Sequence, residues 1–64
     1  MKPRDKTIID LTYAGYVFIR HGGNHDIYKN PETGHMIPLK RHDFDEADRR
    51  YINKEIRQGG KKKS

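Results

Sequence analysis

The chain has 64 residues, no cysteine, and 14 Lys and Arg against 9 Asp and Glu, for a formal charge of +5. That length admits one small domain, which buries only about 60% of the surface its unfolded chain exposes, and hydrophobic residues at 31% against charged ones at 36% supply a single small core. Disulfides and thiolate zinc sites are excluded. The apolar runs are too short to cross a bilayer and no apolar block of a signal peptide is present, so the expectation is a soluble cytoplasmic protein with no membrane partner. The basic balance favours a polyanionic partner, because neutralising phosphates releases counterions and gives affinity without sequence specificity.

In chain order, Pro3 to Ala14 reads as a helix. Pro3 suits its first turn, Asp5 complements the N-terminal dipole, and Gly15 suits a left-handed stop. Its buried stripe is narrow, with Ile8, Leu11 and Ile9 as candidates. Three extended segments follow, Tyr16 to Arg20, His25 to Lys29 and His35 to Leu39, joined by turn formers at His21 to Asn24 and Asn30 to Gly34. This predicts an antiparallel meander. Pro38 donates no ladder hydrogen bond and places the third segment at a sheet edge or strand end. Alternation sets Tyr16, Phe18 and Arg20 on one face of the first strand, and His25, Ile27 and Lys29 opposite Asp26 and Tyr28 on the second. Both faces carry apolar residues, so the pattern does not decide which one the helices cover.

A second helix is predicted from Asp43 or Asp45 to Gln58, with Asp45, Glu46 and Asp48 in its first turns and Arg57 near its end. Phe44, Ala47, Tyr51, Ile52 and Ile56 form its predicted buried stripe. Gly59-Gly60 stops it, residues 61–64 form a basic tail expected to be disordered, and no internal repeat is visible. Residues 1–60 thus form one domain. Its class is α+β, helix-strand-strand-strand-helix, with the helices on one face of a three-stranded antiparallel sheet.

The chemistry centres on histidine. His21 and His25 flank a turn rather than share a helix face, and a third metal ligand would have to come from His35 or His42, so no metal site and no cofactor is expected. No Walker-type phosphate loop or carboxylate cluster is present, and the only serine is Ser64. What stands out is His25, just past Gly22-Gly23-Asn24, residues that can take the positive backbone angles of a hairpin turn. An imidazole there can exchange protons near neutral pH, or serve merely as a polar edge-strand residue. Arg20, Lys29, Lys40, Arg41 and His42 are the cationic residues within its reach. RNA is cut without a metal when a base deprotonates its 2′-hydroxyl and cations steady the charge building on the attacked phosphate.

Gly15-Tyr16-Val17-Phe18, the block Gly23-Asn24-His25-Asp26-Ile27-Tyr28, and Ile37-Pro38 followed by Arg41-His42 together resemble the HicA toxins, the YcfA-like mRNA interferases of type II toxin-antitoxin systems. The resemblance spans roughly residues 3 to 58. It implies a double-stranded-RNA-binding-domain-like fold and a metal-independent endoribonuclease of the stress response that cuts mRNA. It also implies inhibition by a HicB-type antitoxin, with a higher-order toxin-antitoxin complex as the expected assembly. The family's catalytic histidine falls on His25, as general base, acid or both. Arg20, Gly23, Asn24, Lys29, Lys40, Arg41 and His42 are RNA-binding candidates by proximity to it. The chain departs from the family pattern at Lys40, where a proline is common before the Arg-His pair, at Asn24, where a serine is common, and at Thr12-Tyr13. The same residues admit two other readings. One is a double-stranded RNA-binding or ribosome-associated module in which His25 contacts a 2′-hydroxyl or phosphate and cuts nothing. The other is a degenerate toxin that keeps only its antitoxin surface, against which the retained His25 argues.

Overall fold

The computed structural model describes residues 1–59; the tail expected at 61–64 lies outside the described residues. The order is α1 (Pro3–Tyr13), β1 (Val17–Gly22), β2 (His25–Lys29), β3 (Met36–Lys40) and α2 (Glu46–Gly59). The strands form one antiparallel sheet in the order β1-β2-β3. The α+β order read from the sequence is the one observed.

Local chemistry sets the element ends. Pro3 occupies the first turn of α1, Ala14 closes the last, and Gly15 at φ +92° carries the chain away. At the start of α2, the Asp48 amide donates to Asp45 Oδ1 (3.0 Å) and the Asp45 amide to Asp48 Oδ2 (3.1 Å), a reciprocal cap that explains why the helix begins after Asp45 rather than at Asp43. Strand boundaries shift slightly. Gly22 pairs with His25, so β1 runs on through His21 and the predicted four-residue link shrinks to a two-residue turn. His35 lies outside β3, its carbonyl accepting the Asn30 amide (2.9 Å) to close the preceding turn.

The core joins Leu11, Tyr16, Tyr28, Ile37, Leu39 and Ile52. Burying their apolar surface contributes about 1.5–3 kcal/mol for each large side chain. Two predicted stripes need correction. In α1 Thr7 is fully buried while Ile9 is exposed, and the Thr7 hydroxyl donates to the Pro3 carbonyl (2.7 Å), so it enters the core satisfied. In α2 Ile52 is buried, Ile56 is half-buried, and Ala47 and Tyr51 face solvent, while Phe44 lies ahead of the helix and is half-buried. The three-stranded sheet is narrow, and of the predicted stripe only Ile52 enters the core, with Phe44 and Ile56 packed against it.

The register settles which face is covered. Asp26, Tyr28, Ile37 and Leu39 point to the helices and are buried; His25, Ile27 and Lys29, with Pro38 and Lys40 opposite them on β3, line the other face. On β1 the predicted alternation fails. Phe18 pairs with Tyr28 and Arg20 with Ile27, leaving Ile19 as an extra residue, so Phe18 and Arg20 point to opposite faces. Strand β3 is an edge, which accommodates Pro38. Among the described residues no helix is long and apolar enough to cross a membrane.

Candidate functional site

The hairpin between β1 and β2 positions His25. Its turn has Gly23 at φ +58° in the first central position, a conformation that suits glycine and matches the twist of a two-residue hairpin. The segment after β3 is tied to this turn. The Arg41 amide donates to the Asn24 carbonyl (3.2 Å) and the Arg41 guanidinium donates to the Gly23 carbonyl. His25 and Lys40 are Cα partners across β2 and β3, so the two cationic segments singled out in the sequence meet at one end of the sheet.

Beneath that end lies Asp26, on the helix face. Its carboxylate accepts from the Arg4 guanidinium (2.7 Å) and pairs with His21 Nδ1 (2.7 Å), and Arg41 Nε lies 3.7 Å away. Hydrogen bonding from His21, reinforced by Arg4, holds the Asp26 carboxyl below the usual carboxylate range against the opposing effect of burial. Arg4 also donates to the Lys40 carbonyl (2.8 Å). One buried carboxylate therefore binds α1, β1 and the β3–α2 segment together, and on the opposite face of its strand neighbour stands His25.

Two clefts share the His25 and Lys40 walls. The polar one, of about 380 Å³, is lined by Asn24, His25, Lys40, His42 and Asp43. The other, of about 280 Å³, is lined by His25, Pro38, Lys40, Phe44, Asp48, Tyr51 and Ile52. Lys40 Nζ donates to Asp48 Oδ2 (3.1 Å), which fixes the ammonium between the clefts. That contact and the Asp45 amide, the larger influence, lower the Asp48 carboxyl. The polar cleft thus brings two histidines and a cation together, and the cleft beside it adds the Tyr51 ring.

The four histidines separate into two classes. His21 is bonded to Asp26, and His35 Nδ1 meets the Tyr16 hydroxyl (2.7 Å) with its Nε2 3.6 Å from Glu55. Among the described residues no hydrogen bond engages the ring of His25 or His42, and these two line the same cleft. Of the other candidates, Asn24 and Lys40 join them there. Gly23 and Arg41 build the turn beside it. Arg20 shares the open face with His25 and pairs with Ile27. Lys29 does not join this group. It lies at the far end of β2, paired with Val17 and Met36, about 13 Å along the strand from His25.

Sequence reasoning missed four contributors. Asp26 belongs to the block that carries the resemblance but has no role assigned there, and Arg4, 22 positions away, belongs to no motif. Tyr51, placed in the buried stripe, is 61% exposed beside His25. Asp43, which lines the polar cleft, has φ +55°, and is the one non-glycine residue with positive φ among those described. Among the described residues no group of three His, Cys, Asp or Glu side chains is placed to hold a metal ion. No protein-family model, curated protein or solved structure matches the chain.

Proposed function

We propose that the chain is a metal-independent endoribonuclease, the toxin of a toxin-antitoxin pair, which cuts mRNA in the cytoplasm and is restrained by a HicB-type antitoxin covering the cleft. The observation that carries this reading is the cleft itself: on a braced hairpin, a His25 ring that no hydrogen bond engages among the described residues, sharing the cleft with His42 and with Lys40, whose ammonium is paired with Asp48. His25 takes the proton of a 2′-hydroxyl as that oxygen attacks the adjacent phosphate, and the cations offset the charge gathering on the phosphoryl oxygens. The half-buried position of His25 beside a rigid turn limits the ways an RNA phosphate can approach it, which favours orientation. Tyr51 offers a face on which a neighbouring base stacks.

The test is cleavage of a defined RNA by purified protein in EDTA. Cleavage is expected to persist with chelator, and His25→Ala is expected to lower the rate about 10²–10⁴-fold with an unchanged circular dichroism spectrum. Parental-rate cleavage by the alanine variant removes His25 from the mechanism. Activity lost in EDTA and restored by a divalent ion removes the metal-independent route. RNA binding without any cleavage by the parent leaves the second reading, a non-catalytic RNA-binding module, which the exposed Tyr51 and the arginine-lined groove of α2 (Arg49, Arg50, Arg57) serve equally well.

A further inference from the structure

Resting on that reading, we infer that His42 is a second catalytic residue, the general acid that protonates the departing 5′-oxygen, so that the site is a two-histidine cleft. Four observations converge on it. His25 and His42 line one cleft of about 380 Å³. Among the described residues no hydrogen bond engages either ring, whereas His21 and His35 are held by Asp26 and Tyr16. His42 comes from a different segment than His25, and that segment is fastened to the hairpin by both the amide and the guanidinium of Arg41. The residue after it, Asp43, has φ +55°, the left-handed region that aspartate tolerates better than most side chains, and lines the same cleft.

A single histidine can remove the 2′-proton, but the bond that breaks leaves an alkoxide, a poor leaving group unless it is protonated as it departs. The 2′-hydroxyl gives its proton to neutral His25 and the 2′-oxygen bonds to phosphorus. The P–O5′ bond breaks with its electron pair on the 5′-oxygen, which takes a proton from the His42 imidazolium. The products are a 2′,3′-cyclic phosphate and a free 5′-hydroxyl, with His25 protonated and His42 neutral until both exchange with water. Lys40, held by Asp48, stands at the cleft wall for the non-bridging oxygens.

The experiment separates acid catalysis from structure and from binding by changing the leaving group. An RNA whose cleavage site has been mapped with the parent protein is remade with sulfur in place of the 5′-bridging oxygen at that site, because a thiolate departs without protonation. His42→Ala and His42→Gln are each expected to lose about 10²–10⁴-fold on the oxygen substrate and to come within about tenfold of the parent on the sulfur substrate. His25→Ala is expected to fail on both. Equal losses for both His42 variants on both substrates overturn the proposal and leave the nuclease reading standing, with His42 a binding or structural residue. Full activity of either His42 variant on the oxygen substrate also overturns it. Absence of cleavage by the parent on any RNA overturns the nuclease reading and this inference with it. If the alanine variant does not fold, the glutamine variant carries the same comparison.

Discussion

The two ends of the sheet use the same residue types to opposite ends. At the end where β2 finishes and β3 begins, His35 is locked: its ring accepts or donates at the Tyr16 hydroxyl, approaches Glu55, and packs so closely against α2 that a Cβ on Gly59 would lie 2.0 Å from Nδ1. Asn30 ties off that end, its side chain donating to the Ala14 carbonyl (3.2 Å) and accepting the Glu32 amide (2.9 Å). At the hairpin end the bracing groups, Asp26, Arg4, His21 and Arg41, lie beneath the sheet or at the turn, and leave His25 and His42 open on a cleft. One end spends its hydrogen-bonding capacity on closure and the other on presentation. Buried polar groups that are fully satisfied fix a structure; polar groups that remain open on a braced scaffold are available for chemistry.

At the hairpin end the largest change expected after that at His25 is from Asp26→Asn. It removes the charge that Arg4 and His21 share and is expected to cost about 1.5–3 kcal/mol of stability, the range for hydrogen bonds to a charged group, measured by urea denaturation at neutral pH. The sign of its pH dependence follows from the lowered carboxyl. A carboxylate with a depressed folded-state pKa contributes stability that is complete above its unfolded value, about 3.9, and is lost as the pH falls through the lower folded value. The parent should therefore lose stability in acid more steeply than Asp26→Asn. Parallel curves for the two proteins would show that Asp26 braces nothing.

Tyr51→Ala sharpens the contrast next, because it tests whether the open end receives a base. Stacking of one base on an aromatic ring is worth about 1–3 kcal/mol by alanine substitution, so single-stranded RNA binding should weaken accordingly in a fluorescence anisotropy titration. The ring is mostly exposed, and the midpoint of unfolding should stay nearly unchanged. A large loss of stability with unaltered binding would return Tyr51 to the buried stripe where its helical spacing had put it.

Much of this fold was legible because its signals are local. Pro3 and Gly15 bracket α1, Gly23 makes the hairpin, Asp45 caps α2 and Pro38 marks the edge strand. Such residues act through their own backbone and need no partner to be read. The misreadings all concern partners. Which of Thr7 and Ile9 is buried, and whether Tyr51 reaches the core, depends on where a helix lands on a narrow sheet, and periodicity does not say. The extra residue Ile19 leaves no compositional trace, yet it turns Phe18 and Arg20 to opposite faces. At the site, His25 and the Lys40-Arg41-His42 segment were visible as residue types, and so was their proximity. Asp26, which holds them there, links residues up to 22 positions apart in the chain, and no spacing in the sequence announces it. Lys29 was placed near His25 because both lie on one strand face, but they sit at its two ends.

The smallest expected effect comes from the closed end. Tyr16→Phe removes one hydroxyl from a nearly buried ring and leaves His35 Nδ1 without that partner. The cost should be about 0.5–1.5 kcal/mol, the net worth of one hydrogen bond, with RNA cleavage unaltered because the change lies at the far end of the sheet from His25. Burial first, and the nearby Glu55 second, push the Tyr16 phenol above its ordinary value of 10.0. A raised folded-state pKa contributes stability that is complete below the unfolded value and is lost as pH rises through the folded one. The parent should accordingly lose stability in strong alkali through Tyr16, and the phenylalanine variant should lack that part of the loss; Tyr28, raised chiefly by burial, keeps its own share in both proteins. Thermal unfolding followed from neutral pH into alkali, alongside cleavage assays at neutral pH, checks both limbs. If Tyr16→Phe lowers cleavage as strongly as it lowers stability, the two ends are mechanically coupled, and the division between a closed end that holds and an open end that acts does not survive.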